Sequence, residues 1–251
     1  MVELAATRLA GQEGDLLVVG PSLGTSVEAL WGECAVLLGD EFEVVGWDLP
    51  GHGRSRPASA AFTLDELASA VRDLALEAAG DRHVWYAGVS VGGAVALQLA
   101  LDPGPFGAVA GLATAAKIGD AQAWQERADL VRRAGTAVMV AGSAERWFAP
   151  GFTDRRPEIA GALLTSLVDA DASSYAYTCE ALAGYDLGEM MGEAKVPLLV
   201  AAGEHDPVVT AEQAAVPGAA VVLLTGCGHL PAAEDPRAVA SLLRTFFRGA
   251  R

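Results

Sequence analysis

Six short runs of continuously apolar or β-branched residues punctuate the chain at positions 16–19, 43–47, 83–89, 108–112, 198–202 and 220–224. Each is too short for a buried helix and is bounded by turn residues, so each reads as a strand with both faces covered. Between several of them lie segments with helical spacing, at 63–79, 92–101 and, after the last strand, 236–247. In the first of these, Thr63 and Glu66 form a capping-box pattern ahead of Leu67, Val71 and Leu74. Strands buried on both faces and separated by crossover helices predict a mostly parallel central sheet flanked by helices, the α/β class.

One interval breaks this rhythm. Residues 114–195 contain no convincing buried strand but several amphipathic stretches, at 121–133, 157–167 and 173–182. Such a length is excessive for a loop in a compact domain, which predicts a helical cap inserted before the penultimate strand. The expected organisation is therefore a core of 1–113 and 196–251 with a cap of 114–195. The cap would roof the C-terminal ends of the strands, where open α/β sheets bind ligands.

Charge narrows the choice of partner. With 32 Asp and Glu against 17 Lys and Arg, the net charge of -15 repels phosphate backbones, so a nucleic-acid partner is not expected. No stretch reaches the roughly 18 apolar residues of a membrane span, and the first residues lack the basic and apolar regions of a signal peptide. Cys34, Cys179 and Cys227 form no C-x-x-C pair, so neither a disulfide framework nor a zinc site is expected. These features predict a cytoplasmic protein with no membrane partner.

The chemistry concentrates in "GVSVG", residues 88–92, where a strand gives way to a helix. A serine on such a turn can present its hydroxyl above the sheet as a nucleophile, provided that a histidine and an acid follow in that order. Asp206 lies in "GEHDPVV", just after the strand at 198–202, and His229 in "GCGHLPAAEDP", just after that at 220–224. Glu204 is the rival acid; Glu234 and Asp235 are weaker because they are placed to start the last helix. His83 and His205 read as solvated, His52 in "PGHGR" as part of a tight turn, and Cys227 as a packed side chain. Acyl transfer also needs oxyanion donors, for which the backbone N–H groups of Val91 and Leu23 are the candidates, with Ser22 and Gly24 as further contributors. Pro21 has no N–H to offer.

Taken together, "VSVGG", "DLPGHGRS", "GEHDPVV" and "GCGHLPAAEDP" resemble the α/β-hydrolase superfamily over nearly the whole chain. More narrowly, "PSLGTSVEALW", "ATAAKIGDAQAW", "ERWFAPGF" and "YAYTCEALAGYDL" resemble 3-oxoadipate enol-lactonases of aromatic degradation. The resemblance implies a small anionic lactone as substrate, an acyl-enzyme on Ser90, and no metal or organic cofactor. It also implies a cation for the substrate carboxylate, for which Arg146 and Lys117 are the candidates, with Trp147 as a pocket wall. Two departures are visible: Pro21 replaces the Asn or His usual before the oxyanion turn, and Lys117 replaces an Arg. Alternatives on the same fold are a carboxylesterase, another lactonase, a carbon–carbon bond hydrolase or a perhydrolase. A ligand-binding protein without turnover is the alternative from another class.

Overall fold

A computed structural model of the chain describes residues 2–251. Seven strands form one sheet: β1 (Ala6–Ala10), β2 (Asp15–Gly20), β3 (Phe42–Trp47), β4 (Val84–Val89), β5 (Phe106–Leu112), β6 (Leu198–Gly203) and β7 (Ala219–Leu224). Their spatial order is β1-β3-β2-β4-β5-β6-β7, and every neighbouring pair is parallel except β1 with β3. Strands β2 to β6 are buried almost throughout, which is why they appear in the sequence as unbroken apolar runs rather than as alternating patterns.

The first strand escapes the sequence pattern. β1 is a half-exposed edge strand, and its five residues "ATRLA" bury too little to leave an apolar signature. Antiparallel pairing with β3 and an ion pair from Arg8 Nε to Glu43 Oε1 at 2.6 Å hold it in place.

Helices cover both faces. Helix α1 (Val27–Leu38) follows β2, α2 (Leu64–Ala79) precedes β4, and α3 (Val91–Leu101) follows β4. The capping box of α2 is present, with Thr63 Oγ1 accepting from Glu66 N and Glu66 Oε2 accepting from Thr63 N. Helix α3 is apolar all round, as its position between α2 and the sheet requires. Between β5 and β6 come α4 (Ala121–Ala134), α5 (Val140–Trp147), α6 (Phe152–Arg155), α7 (Pro157–Asp169) and α8 (Ala172–Ala183). The short α9 (Pro231–Glu234) and the long α10 (Pro236–Gly249) close the chain. Phe247 of α10 stacks on Trp85 of β4 on one face of the sheet, whereas a side chain at Gly111 of β5 would meet Leu97 of α3 on the other.

The helical segment α4–α8 rests on the core at defined points. At its neck, Tyr185 donates through its hydroxyl to Ala115 O at 3.1 Å, and Leu187 N–H donates to Ala116 O at 2.8 Å. Farther out, Asp171 N–H donates to Gly51 O at 2.8 Å, and Ser174 Oγ accepts from Ala58 N–H at 2.9 Å. Leu163 and Leu167 of α7 are fully buried, so the segment shares a core with the sheet domain beneath it. Among the described residues no helix is long and apolar enough to cross a membrane.

Candidate active site

Four loops at the C-terminal edge of the sheet build the site, and the sharpest follows β4. Ser90 takes φ 55° and ψ -108°, a strained conformation for a residue with a Cβ, costing on the order of 1–3 kcal/mol. Its surroundings hold it there. Ser90 N–H donates to Leu112 O at 2.8 Å, Ser90 O accepts from Ala94 N–H at 2.8 Å, and Gly92 N–H donates to Pro21 O at 2.9 Å. Glycine is obligatory on either side because a Cβ at Gly88 would fall 2.1 Å from Gly92 O, and one at Gly92 would fall 2.7 Å from Gly20 C. The strand-to-helix turn therefore closes tightly enough to stand the serine hydroxyl above the sheet.

Ser90, His229 and Asp206, separated in sequence by up to 139 residues, meet in one hydrogen-bonded chain. His229 Nε2 lies 3.0 Å from Ser90 Oγ, and His229 Nδ1 lies 2.8 Å from Asp206 Oδ2. The other carboxylate oxygen, Asp206 Oδ1, accepts from Val208 N–H at 2.7 Å and Val209 N–H at 3.1 Å. These two bonds fix the carboxylate plane, and the carboxylate in turn selects the histidine tautomer with its proton on Nδ1. The side chains of His229 and Asp206 are 4% and 0% exposed, so water does not compete for these contacts.

The oxyanion candidates fall beside this chain. Among the described residues the N–H groups of Val91 and Leu23 have no hydrogen-bond partner, whereas Ser22 N–H is occupied by Thr25 Oγ1 at 3.1 Å. Val91 opens α3, where the helix dipole adds to the pull on a developing negative charge. Leu23 lies on the loop after β2, next to Pro21, whose carbonyl anchors the elbow. The departure at Pro21 thus leaves an acceptor in use and removes only a donor.

A pocket of about 160 Å³ opens over Ser90 and His229, walled by Leu23, Trp147, Arg127 and Arg146 among others. A larger groove of about 270 Å³ near Arg56 and Phe62 contains none of the triad. The shape of the smaller pocket suits a compact ligand held against the serine.

The sequence pattern of the α/β hydrolase family matches residues 16–242. The chain belongs to the α/β hydrolase family. Among its relatives, 3-oxoadipate enol-lactonase 2 and 3-oxoadipate enol-lactonase 1 of Acinetobacter baylyi are 38% and 34% identical over 195 residues, spanning 77% of this chain and 72% of theirs. The crystal structure of the enol-lactonase from Burkholderia xenovorans superposes with a TM-score of 0.91 at 29% identity, covering 98% of this chain and 97% of that one. A thermophilic esterase from Thermogutta terrifontis shares the fold, with a TM-score of 0.90 at 22% identity over 99% of this chain and 94% of that one.

Not every expected residue of this α/β hydrolase reaches the pocket. Arg146 and Trp147 line it, but Lys117 is more than half exposed and pairs with Asp186 Oδ2 at 3.0 Å, outside the lining. It faces the neck crossing, where the chain passes into and out of the helical segment, and the ion pair across that crossing is its observed role. Arg127 takes the second cationic position instead, its guanidinium lying 4.5 Å from the Trp124 ring. In sequence it is one of several charges on an amphipathic helix, and only its spacing of three from Trp124 marks it as facing inward. Neither Arg127 nor Arg146 forms an ion pair among the described residues, and burial together with the Arg127 charge pulls the Arg146 pKa below its ordinary value. The one carboxylate in the lining, Asp120, is engaged in capping α4 through Gln122 N–H and Ala123 N–H.

Other expectations resolve simply. Glu204 is exposed and accepts from Gly226 N–H, and His83 and His205 are exposed. His52 is buried in its turn, with Nδ1–H on Pro50 O at 2.9 Å and its ring stacked on Tyr175. Asp235 caps α10 through Ala238 N–H, but Glu234 ends the separate helix α9 and is turned into the site's supporting structure. Among the described residues no group of His, Cys, Asp and Glu is arranged to hold a metal ion.

Proposed function

We propose that this α/β hydrolase opens 3-oxoadipate enol-lactone, or a close carboxylate-bearing lactone, to its keto acid through an acyl-enzyme on Ser90. The observation that carries the reading is the presence of two unpaired arginines, Arg127 and Arg146, in the same small pocket as the Ser90–His229–Asp206 chain. A protein of net charge -15 has many carboxylates with which to neutralise them, so two guanidinium groups lining one pocket without an ion pair favour an anionic ligand. Their forks match a carboxylate, and in a partly desolvated pocket that attraction is weakly screened by salt. Similarity to the enol-lactonases supports the same choice.

In this reading each step has a residue to perform it. With the substrate carboxylate on the arginines, the reading puts the lactone carbonyl carbon over Ser90 Oγ. His229 Nε2 takes the serine proton as the Oγ–C bond forms, and Asp206 stabilises the resulting imidazolium. The carbonyl oxygen becomes an oxyanion facing the N–H groups of Val91 and Leu23. Collapse breaks the ring C–O bond and expels an enolate, which takes the proton from His229 and tautomerises to the ketone. Water, deprotonated by the same histidine, then attacks the acyl carbon and frees Ser90. No step calls for a metal or a redox cofactor. Three free, buried cysteines fit operation in a reducing cytoplasm.

The test follows loss of the ultraviolet absorbance of freshly generated 3-oxoadipate enol-lactone with the wild-type protein and with Ser90→Ala, a neutral aryl ester serving as control. Rapid lactone loss, abolished by the substitution and far faster than ester cleavage, is the expected result. Ester cleavage without lactone turnover would discard the substrate, and undiminished activity of Ser90→Ala would discard the mechanism.

A further inference from the structure

The loop that carries His229 is not self-supporting. The loop after β6 holds its start, through Glu204 Oε2 accepting from Gly226 N–H and His205 N–H donating to Cys227 O at 2.8 Å, and the stretch around His229 is held from two directions that both involve the segment at the end of α5. His229 N–H donates to Trp147 O at 2.9 Å. On the other side, the carboxylate of Glu234 accepts three backbone N–H bonds: Oε1 from Gly228 at 3.0 Å and Leu230 at 3.1 Å, and Oε2 from Ala149 at 2.7 Å. Gly228 and Leu230 flank the histidine, whereas Ala149 lies two residues beyond Trp147 and three beyond Arg146. The two strips of chain are in direct contact, because a Cβ on Gly228 would fall 2.7 Å from Ala149 N and 2.9 Å from Trp147 O.

From this arrangement we infer that Glu234 is a positioning residue that locks the catalytic histidine loop and the substrate-recognising end of α5 into one rigid unit. The inference rests on the serine mechanism proposed above. One oxygen sets the register of the loop on either side of His229, and so the aim of Nε2 at Ser90. The other oxygen sets the height of Ala149, and with it the wall formed by Trp147 and Arg146. Both oxygens are committed, so the function needs a carboxylate and not merely a polar side chain. Burial raises the Glu234 pKa, and the three N–H donors oppose that rise by stabilising the charged form. Glu234 is half-buried and triply bonded to backbone N–H groups, unlike a surface carboxylate chosen for solubility. The consequence for dynamics is that α5 does not lift from the core at this corner without loosening the histidine.

The carboxylate requirement gives a test with two arms. In Glu234→Gln only one oxygen remains to accept. The amide oxygen is better used on the Gly228 and Leu230 pair, which leaves the amide NH2 facing Ala149 N–H, donor against donor. This variant should therefore keep the histidine aligned while releasing α5. In Glu234→Ala both links are lost. Each protein is assayed on the anionic enol-lactone and on a neutral aryl ester, with folded protein quantified by the amplitude of a cooperative thermal melt, a count that does not depend on the alignment of His229. Glu234→Gln should hold kcat on the neutral ester within about threefold of wild type and raise KM for the lactone about tenfold. Glu234→Ala should in addition lower kcat per folded protein on both substrates, by about a hundredfold.

Equal losses on both substrates in both variants, matched by loss of folded protein in the melt, would mean a role in folding alone and overturn the inference. So would wild-type constants in either variant. An active Ser90→Ala control, by contrast, would bring down the underlying mechanism and is recognised separately.

Discussion

Replacing Asp206 by Asn tests the whole hydrogen-bonded chain with almost no change in volume. The asparagine has two orientations. In the first, its oxygen takes the place of Oδ1 and keeps the bonds from Val208 and Val209 N–H, now 2.7 and 3.1 Å long. The amide NH2 then faces His229 Nδ1, which must accept, so the ring proton moves to Nε2 and confronts Ser90 Oγ with a donor where a base is needed. In the second orientation the oxygen faces Nδ1 and the productive tautomer returns, but the NH2 confronts two buried N–H groups. Leaving those two donors unpaired costs about 1–3 kcal/mol each, or about 2–6 kcal/mol together. At about 1.4 kcal/mol per factor of ten, the productive orientation is populated on the order of 1 in 30 to 1 in 20,000. Turnover should fall by the same range, while the favoured orientation leaves packing intact and the thermal midpoint nearly unchanged. Steady-state hydrolysis of the lactone, together with a thermal melt, reads both quantities. A loss below about fivefold with an unchanged melt would refute the argument that Asp206 acts through the histidine tautomer.

Three further outcomes are expected. Arg127→Gln and Arg146→Gln should each raise KM for the anionic lactone about tenfold or more and leave a neutral ester almost unaffected; equal effects on both substrates would remove the arginines from carboxylate binding. Burial holds the His52 pKa down at about 4, below its ordinary 6.5, so the neutral ring contributes stability that is present above pH 6.5 and lost as the pH falls toward 4. Over pH 7 to 5 this amounts to roughly 2 kcal/mol, so the unfolding free energy of His52→Asn, read from urea titrations, should fall by about that much less than that of wild type between those pH values; equal falls would contradict it. Gly88→Ala should fail to accumulate as folded protein or lose more than about 3 kcal/mol, because its Cβ would fall 2.1 Å from Gly92 O, a backbone atom. A stable, active variant would show that the elbow is looser than its geometry implies.

Much of this protein was legible because its information is local. A strand buried on both faces must be apolar at nearly every position, so β2, β3, β4, β5 and β6 announce themselves without any knowledge of their neighbours, the paired Glu43 of β3 being an exception. Parallel strands end at one edge, so the residues just after β4, β6 and β7 come together whatever the length of chain between them. That ground, together with the Gly-x-Ser-x-Gly turn and the order serine, acid, histidine, points to Ser90, Asp206 and His229. The short edge strand β1 could not, since an edge needs little burial and its partner β3 lies more than thirty residues away.

What required the tertiary structure is everything that depends on which way a side chain turns. Lys117 and Arg127 are both cations near the start of the helical segment, and composition treats them alike. Packing of α4 and the chain crossing at the neck point one into the pocket and pair the other with Asp186 in solvent. Glu234 and Asp235 are adjacent carboxylates that the sequence assigns to the same helix start. The turn between α9 and α10 separates them, leaving Asp235 as a cap and setting the half-buried Glu234 against backbone donors of its own loop, at Gly228 and Leu230, and of a distant one, at Ala149. Periodicity and strand order determine where the backbone goes. The direction of a polar side chain at an interface is decided by competition among partners that only the folded chain assembles.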